Sequence, residues 1–278
     1  MYQVIFSIHR DREPDISQAL FDLGAGSVSS FPGNGEDVSV IALFSSLDSV
    51  KEHFPEGRYA VRYLHEKEWK YSWLDDYHGF AVNDDIYIHP FPCSATAPED
   101  YRYVIRLDPR DAFGDGRHPT TRLCMLALHR ILTGYTDEKR AGISMLDAGT
   151  GTGILSVLAS MLGVRNIDAV DIDMESIRRA RSNAERNRCS INFHEADISS
   201  FHGTGTYNLV TANLLTGIFF DTLPGIANLL GSDGTLIASG VSSTWDNDIS
   251  AVFRKHGLTI LENMDLDGWH CYLLSFYP

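Results

Sequence analysis

The stretch MLDAGTGTGILSVLASMLG, Met145 to Gly163, constrains the fold of this chain more than any other. An apolar run closes on Asp147, glycines follow at 149, 151 and 153, and a helical pattern starts at Ile154. A strand, a tight glycine turn and a helix in immediate succession open a parallel α/β unit, because a strand reaches a parallel neighbour only through a long crossover.

The sequence beyond Arg102 continues this rhythm. A helix over 120–132 precedes the strand ISMLDA. Then come helix ILSVLASMLG, strand NIDAVDI, helix MESIRRARSNAERN, strands INFHEAD and YNLVTANL, helix IFFDTLPGIANLL and strand GTLIASGV. Apolar strands separated by helices predict a parallel sheet covered on both faces. The end, LTILENMDLDGWHCYLLSFYP, reads as two last strands joined at Asp267 and Gly268.

The first 65 residues have another pattern. YQVIFSI, PDISQALFDLGA, SVSSF, DVSVIALF, SLDSVKEHF and RYAVRYL give the order β-α-β-β-α-β, which is ferredoxin-like. From 66 to 100 the sequence is aromatic and irregular and is expected to be a linker, with Trp69 and Trp73 on one face of a helical turn. The expected division is 1–65, a small α+β domain; 66–100, a linker; and 101–278, an α/β domain. A chain of 278 residues is long enough for two cores.

Composition narrows the function classes. No stretch resembles a membrane span or a signal peptide, so a cytoplasmic address is expected. Cys93, Cys124, Cys189 and Cys271 show no metal-binding spacing, and no metal is expected. A net charge of −14 repels phosphate backbones and suits a cationic ligand or a basic protein partner. The arginines of SIRRARSNAERNRC are interleaved with Glu175 and Glu185 and read as a solvated helix face, so no direct nucleic-acid binding is expected.

In an open α/β sheet, ligands bind beyond the carboxyl ends of the strands. Asp147, Gly149, Gly151 and Gly153 stand at the first of these ends. Glycine lets the backbone approach a ligand without a Cβ in the way, and the first N–H groups of the helix are potential donors to an anion. The pattern is D-x-G-x-G-x-G, with Ile154 where a dinucleotide fingerprint requires its last glycine, so it departs from pyrophosphate binding. Asp171 closes the second strand, 18 residues after Gly153, where a carboxylate can accept from both hydroxyls of a ribose; Asp173 is the better helix cap. Asp197 closes the third strand and has two readings, a ligand contact or the cap of a turn. Asn213 ends the fourth strand with Leu214 next to it. Out of context Asn213 reads as structural; facing a cofactor, its side-chain oxygen and the Leu214 carbonyl form a pair of acceptors for an amine. The loop before the helix at 120–132 contains Phe113 and His118, and His118 also reads as a loop histidine bonded to backbone.

With these pieces placed, the glycine loop matches the first motif of S-adenosylmethionine-dependent methyltransferases, and the chain resembles the PrmA family of ribosomal protein methyltransferases. The resemblance rests on AFGDGRHPTT, LDAGTGTGIL, AVDID followed by RSNAERN, ANLL, EWKYSW, IYIHP and the terminal GWHCYLL. It implies a class I, Rossmann-like methyltransferase domain with a seven-stranded sheet behind a ferredoxin-like substrate-recognition domain. It further implies S-adenosyl-L-methionine as cofactor and a basic protein partner, a large-subunit ribosomal protein, methylated on lysine or N-terminal amines. The family's cofactor contacts fall on Thr121, Gly149, Asp171 and Asn213, with Phe113 and His118 in the loop over the cofactor and Asp197 at the place of an adenine contact. Asp115 and Arg117 depart from the family's small or neutral loop residues.

Overall fold

The computed structural model describes residues 1–32, 36–55, 57–63, 77–93, 96–110, 112–203 and 205–276; Trp69 and Trp73 lie outside them. The chain divides into two compact units, residues 1–77 with 242–244, and 78–241 with 245–278.

In the first unit, β1 (Tyr2–His9), α1 (Glu13–Asp22), β2 (Ser27–Pro32), β3 (Asp37–Phe44), α2 (Asp48–His53) and β4 (Ala60–Tyr63) form a four-stranded sheet in the order β2-β3-β1-β4. Its pairs are antiparallel, with Val4 opposite Ala42 and Phe6 opposite Val40. Strand β3 alternates strictly, placing Val38, Val40, Ala42 and Phe44 on the face that meets Leu20 and Val50. The period of two puts these four side chains on one face.

The second unit begins with a three-stranded sheet of β5 (Phe80–Ala81), β6 (Ile86–Pro90) and β7 (Tyr103–Leu107). Then follow α3 (Pro119–Thr133), α4 (Asp137–Ala141), β8 (Ser144–Ala148), α5 (Ile154–Met161), β9 (Asn166–Asp171), α6 (Met174–Arg186), β10 (Asn192–Glu195) and β11 (Tyr207–Asn213). The chain ends with α7 (Thr216–Leu229), β12 (Leu230–Ser242), α8 (Asp246–Lys255), β13 (Thr259–Leu266) and β14 (Trp269–Ser275). The main sheet has seven strands in the order β10-β9-β8-β11-β12-β14-β13. The pairs from β10 through β12 are parallel and β13 is antiparallel to β14, which is the class I methyltransferase order. The strand order reverses between β8 and β11, so their carboxyl ends flank the crevice in which such sheets bind ligands.

Strands β5 and β6 fall where a linker was expected, and three further elements, β7, α4 and α8, were not foreseen. Strand β7 is short and follows loop sequence. Helix α4 fills the long connection between Leu132 and Ser144, and α8 buries only Ile249 and Phe253, one helical turn apart, too narrow a stripe to stand out as periodic. Asp197 lies two residues beyond the end of β10 and does not close it.

The sheet is apolar on both faces apart from a few paired polar groups. Asp168, in the middle of β9, accepts from Tyr207 Oη at 2.7 Å and is 3.0 Å from His194 Nε2. Burial opposes its ionisation, but these partners hold its carboxyl below the ordinary carboxylate range. A buried carboxylate that loses a donor retains its full desolvation cost. Tyr207→Phe is expected to destabilise the protein by about 1–3 kcal/mol in urea unfolding, and unchanged stability would show that this bond carries no weight.

Candidate active site

The strand β8 delivers the chain into a turn with left-handed backbone at Gly149, Gly151 and Gly153 (φ 73°, 53° and 80°). The close neighbours of this turn are parts of the protein itself. A Cβ would stand 2.4 Å from Leu214 Cδ2 at Gly149, 2.3 Å from the Phe113 carbonyl oxygen at Gly151, and 2.9 Å from Ala180 Cβ at Gly153. The turn amides are engaged as well. Gly149 and Thr150 donate to Val170, Gly151 to Asp171, Thr152 to Phe113, and Gly153 to Thr150. The amides of the turn are thus held within the protein, and the turn forms a rigid shelf ahead of α5.

Asp147 corrects one expectation. It is almost fully buried, and its carboxylate accepts from Thr150, Ser156 and Thr211 hydroxyls, each at 2.7 Å. Its oxygens are turned into the protein, where desolvation raises its pKa against the pull of the three hydroxyls. Its role is to fix the turn, the first residues of α5 and the end of β11 together.

Asp171 faces the crevice. One carboxylate oxygen accepts from the Gly151 amide at 2.9 Å and the other from the Asp173 amide at 3.0 Å, and the Ile172 amide also bonds to this carboxylate, which still leaves it room for a further donor. Partial burial raises its pKa, with the amide donors opposing. Asp173 caps α6 through the amides of Glu175 and Ser176. Beside Asp171, Ile172 is 71% exposed, an apolar side chain at the strand tips whose significance sequence reading missed. Asp197 is exposed, and its carboxylate holds the Ser199 amide and hydroxyl, both at 2.8 Å, which lowers its pKa. Of its two readings, the turn cap is what these contacts describe.

Asn213 lies at the end of β11. Its Nδ2 donates to Thr121 Oγ1 at 3.1 Å, which directs Oδ1 the other way, and that oxygen is buried without a partner among the described residues. Leu214 donates its amide to Ser239 at 3.0 Å. Its carbonyl lies against Gly240, where a Cβ would come within 2.0 Å of the oxygen and where φ is 94°. The absence of a side chain at Gly240 is what admits the Asn213-Leu214 turn.

Thr121 sits on the first turn of α3, which His118 caps. Its Nδ1 lies 2.8 Å from Thr120 Oγ1 and accepts from the Thr120 amide at 3.4 Å, so the loop-histidine reading describes its contacts. The His118 ring meets Trp269 and Phe113 edge-on, with centroids 4.9 and 5.7 Å apart. Trp269 is buried; Phe113 is exposed. Phe113 is tied to the glycine turn by its carbonyl, and Gly114 by the Thr152 hydroxyl at 2.6 Å. The structure thus brings Phe113, Thr121, the three glycines, Asn213 and Leu214 together, with Asp171 on the far side of the turn. Sequence reading also missed Asn183, fully buried on α6, which donates to the carbonyls of Asp108 and Thr152 and accepts from the Asp108 amide. Its only signal was the RSNAERN segment.

The family model described as ribosomal protein L11 methyltransferase (PrmA) matches residues 7–276. The chain belongs to this family. A ribosomal protein L11 methyltransferase from Hydrogenovibrio crunogenus is 29% identical over 233 residues, covering 84% of this chain and 75% of that protein. A second, from Macrococcus caseolyticus, is 29% identical over 307 aligned positions and 96% of both chains. The crystal structure of ribosomal protein L11 methylase from Lactobacillus delbrueckii subsp. bulgaricus is similar at a TM-score of 0.64 and 28% identity, covering 72% of this chain and 98% of that one.

Asp171 of this PrmA member retains acceptor capacity at the strand tips, which is compatible with a ribose hydroxyl there. Hydroxyl donors favour the ionised carboxylate, so affinity is expected to rise with pH and level off above the raised Asp171 pKa. Calorimetry with S-adenosylmethionine from neutral pH down through the raised Asp171 pKa should show progressive weakening, and Asp171→Asn should bind weakly with a flatter profile. A wild-type profile without that weakening contradicts the role.

Proposed function

We propose that this chain is an S-adenosylmethionine-dependent protein methyltransferase that methylates amino groups, of lysine or of the N-terminus, on ribosomal protein L11. The observation that carries this reading is the partnerless, buried Oδ1 of Asn213, whose Nδ2 is held by Thr121, in the residue that precedes Leu214. An unmade hydrogen bond on a buried amide oxygen costs about 1–3 kcal/mol. That cost is retained where a ligand supplies the missing donor, and an amine supplies two. With one N–H on Asn213 Oδ1 and another on the Leu214 carbonyl, the nitrogen lone pair is fixed in direction.

When bound, S-adenosylmethionine supplies an electrophilic methyl group on a sulfonium that leaves as a neutral thioether. The protein's residues hold and align. Asp171 takes the ribose, the shelf at Gly149 with Phe113 and Thr121 bounds the remainder, and Asn213 with Leu214 orients the nucleophile. With the cofactor bound, the amine held by Asn213 and Leu214 would take its methyl group, the sulfur would leave as the thioether, and the proton of the amine would pass to water. Holding the two reactants in line is most of what the site has to do.

Lysine, with a pKa near 10.4, is neutral in only about one molecule in a thousand near pH 7.4. Transfer out of water into this site favours the neutral amine. Leu214, Leu215 and Thr216 follow Asn213, so the site has no aromatic residue there on which a nucleobase could stack. A net charge of −14 draws a basic ribosomal protein toward the enzyme. No helix among the described residues is long and apolar enough to cross a membrane, and the proposed substrate places the enzyme in the cytoplasm.

Incubation of the purified protein with radiolabelled S-adenosylmethionine and separated ribosomal proteins, followed by mass spectrometry, is expected to place the label on L11 amines. Asn213→Ala should lower turnover at least about a hundredfold with a small change in thermal stability. Full turnover by that variant, or label confined to another protein, rejects the assignment.

A further inference from the structure

One wall of the second unit opposes the overall charge of the chain. Two hollows adjoin there, both walled by Met161. One, of about 510 Å³, is lined by Arg102, Asp137 and Arg140, and the other, of about 440 Å³, by Arg106, Arg186 and Arg188. The one carboxylate among these lining residues, Asp137, pairs with Arg140, which also donates to the Leu132 carbonyl. Arg102, Arg106 and Arg188 are exposed and have no carboxylate partner among the described residues. Arg186 is held by Asn183 Oδ1 at 2.8 Å and lies 3.8 Å over the exposed ring of Phe91. Burial lowers its pKa, and the neighbouring Arg179 and Arg110 add to this, while Asp108 and Glu185 oppose it.

The wall is held rigid. Asn187, between Arg186 and Arg188, accepts from the Arg106 amide and donates to the Arg106 carbonyl, both at 2.8 Å, as a strand partner would. This bridge joins the end of α6 to the open edge of β7, so arginines 80 residues apart in sequence share one surface without further ordering. The 13 residues of α6 carry them about 20 Å from Asp171, toward the amino ends of the strands. A ligand on this wall leaves the strand tips open.

We propose that Arg102, Arg106, Arg186 and Arg188 bind the phosphodiester backbone of single-stranded RNA, with Phe91 as a platform for one base. The cations are all arginine, whose planar fork matches phosphate oxygens two at a time. An exposed aromatic ring beside such a groove is the usual arrangement for an unpaired base. The basic methyl acceptor proposed above is repelled from this wall; the polyanion that such a protein accompanies is attracted to it. The whole-chain charge conceals the patch, because its arginines come from two separate segments.

The test is fluorescence anisotropy of the full-length protein with a labelled oligouridylate of about 12 nucleotides across a potassium chloride series. Wild type is expected to bind, with log affinity falling linearly in log salt. The Arg102→Gln/Arg106→Gln/Arg188→Gln protein should bind at least tenfold more weakly, its salt slope shallower by about 0.7 for each contact removed. Phe91→Ala should lose about tenfold with its salt slope unchanged. Calorimetric S-adenosylmethionine binding equal to wild type would show the variants folded. On wild type alone, polyglutamate of equal charge should fail to displace the RNA. Absence of RNA binding at low salt, an unchanged triple variant, or displacement by polyglutamate, which would mark an acidic-peptide surface, overturns the proposal.

Discussion

The buried carboxylate of Asp147 holds the catalytic end of the second unit together. Its three hydroxyl donors come from the glycine turn (Thr150), from α5 (Ser156) and from β11 (Thr211). One side chain on β8 thereby sets the position of the cofactor shelf relative to the strand that ends in Asn213. Hydrogen bonds to a charged group are worth about 1.5–3 kcal/mol each, and the desolvation that raises the pKa of Asp147 works against them. Because every donor belongs to a different element, disturbing this carboxylate disturbs all of them.

Around that hub, close backbone packing does the positioning. The glycines of the turn make room for Leu214, for the Phe113 carbonyl and for α6, and Gly240 makes room for the Leu214 carbonyl. The loop over the site, the shelf beneath it and the pair of acceptors therefore interlock. Such packing keeps an unsatisfied oxygen at Asn213 pointing in a fixed direction, a locally unfavourable arrangement that a folded protein tolerates only where the surroundings over-determine it.

The charge of the molecule is distributed for two kinds of encounter. The general acidity suits a cationic substrate, while the arginine wall joined through Asn187 is a local exception. Beside this wall arginine also has a structural part, since Arg110 and Arg179 hold Asp108, buried and ionised below its ordinary range despite its desolvation. The same region of α6 braces the glycine turn through Asn183 and supports a surface far from it.

Much of the architecture is local in origin and could be read from the chain alone. The alternation in β3, the apolar strands β8, β9 and β11, the glycine turn, and the placement of Asp171 and Asn213 at strand ends follow from periodicity and from the residues that interrupt it. Partnership over long sequence separations could not be read in this way. Asp147 reads as a strand-end carboxylate at the ligand side, and Thr211, 64 residues away, turns it inward. The contacts of Asn183 and Asn187 with backbone 75 and 81 residues earlier leave no local mark in the sequence. The glycines looked like space for a ligand until packing filled that space with protein. Backbone propensity and hydrophobic period act over a few residues and determine which elements form, whereas the direction of a polar side chain depends on which donors the folded chain brings within 3 Å, and only the tertiary structure decides that.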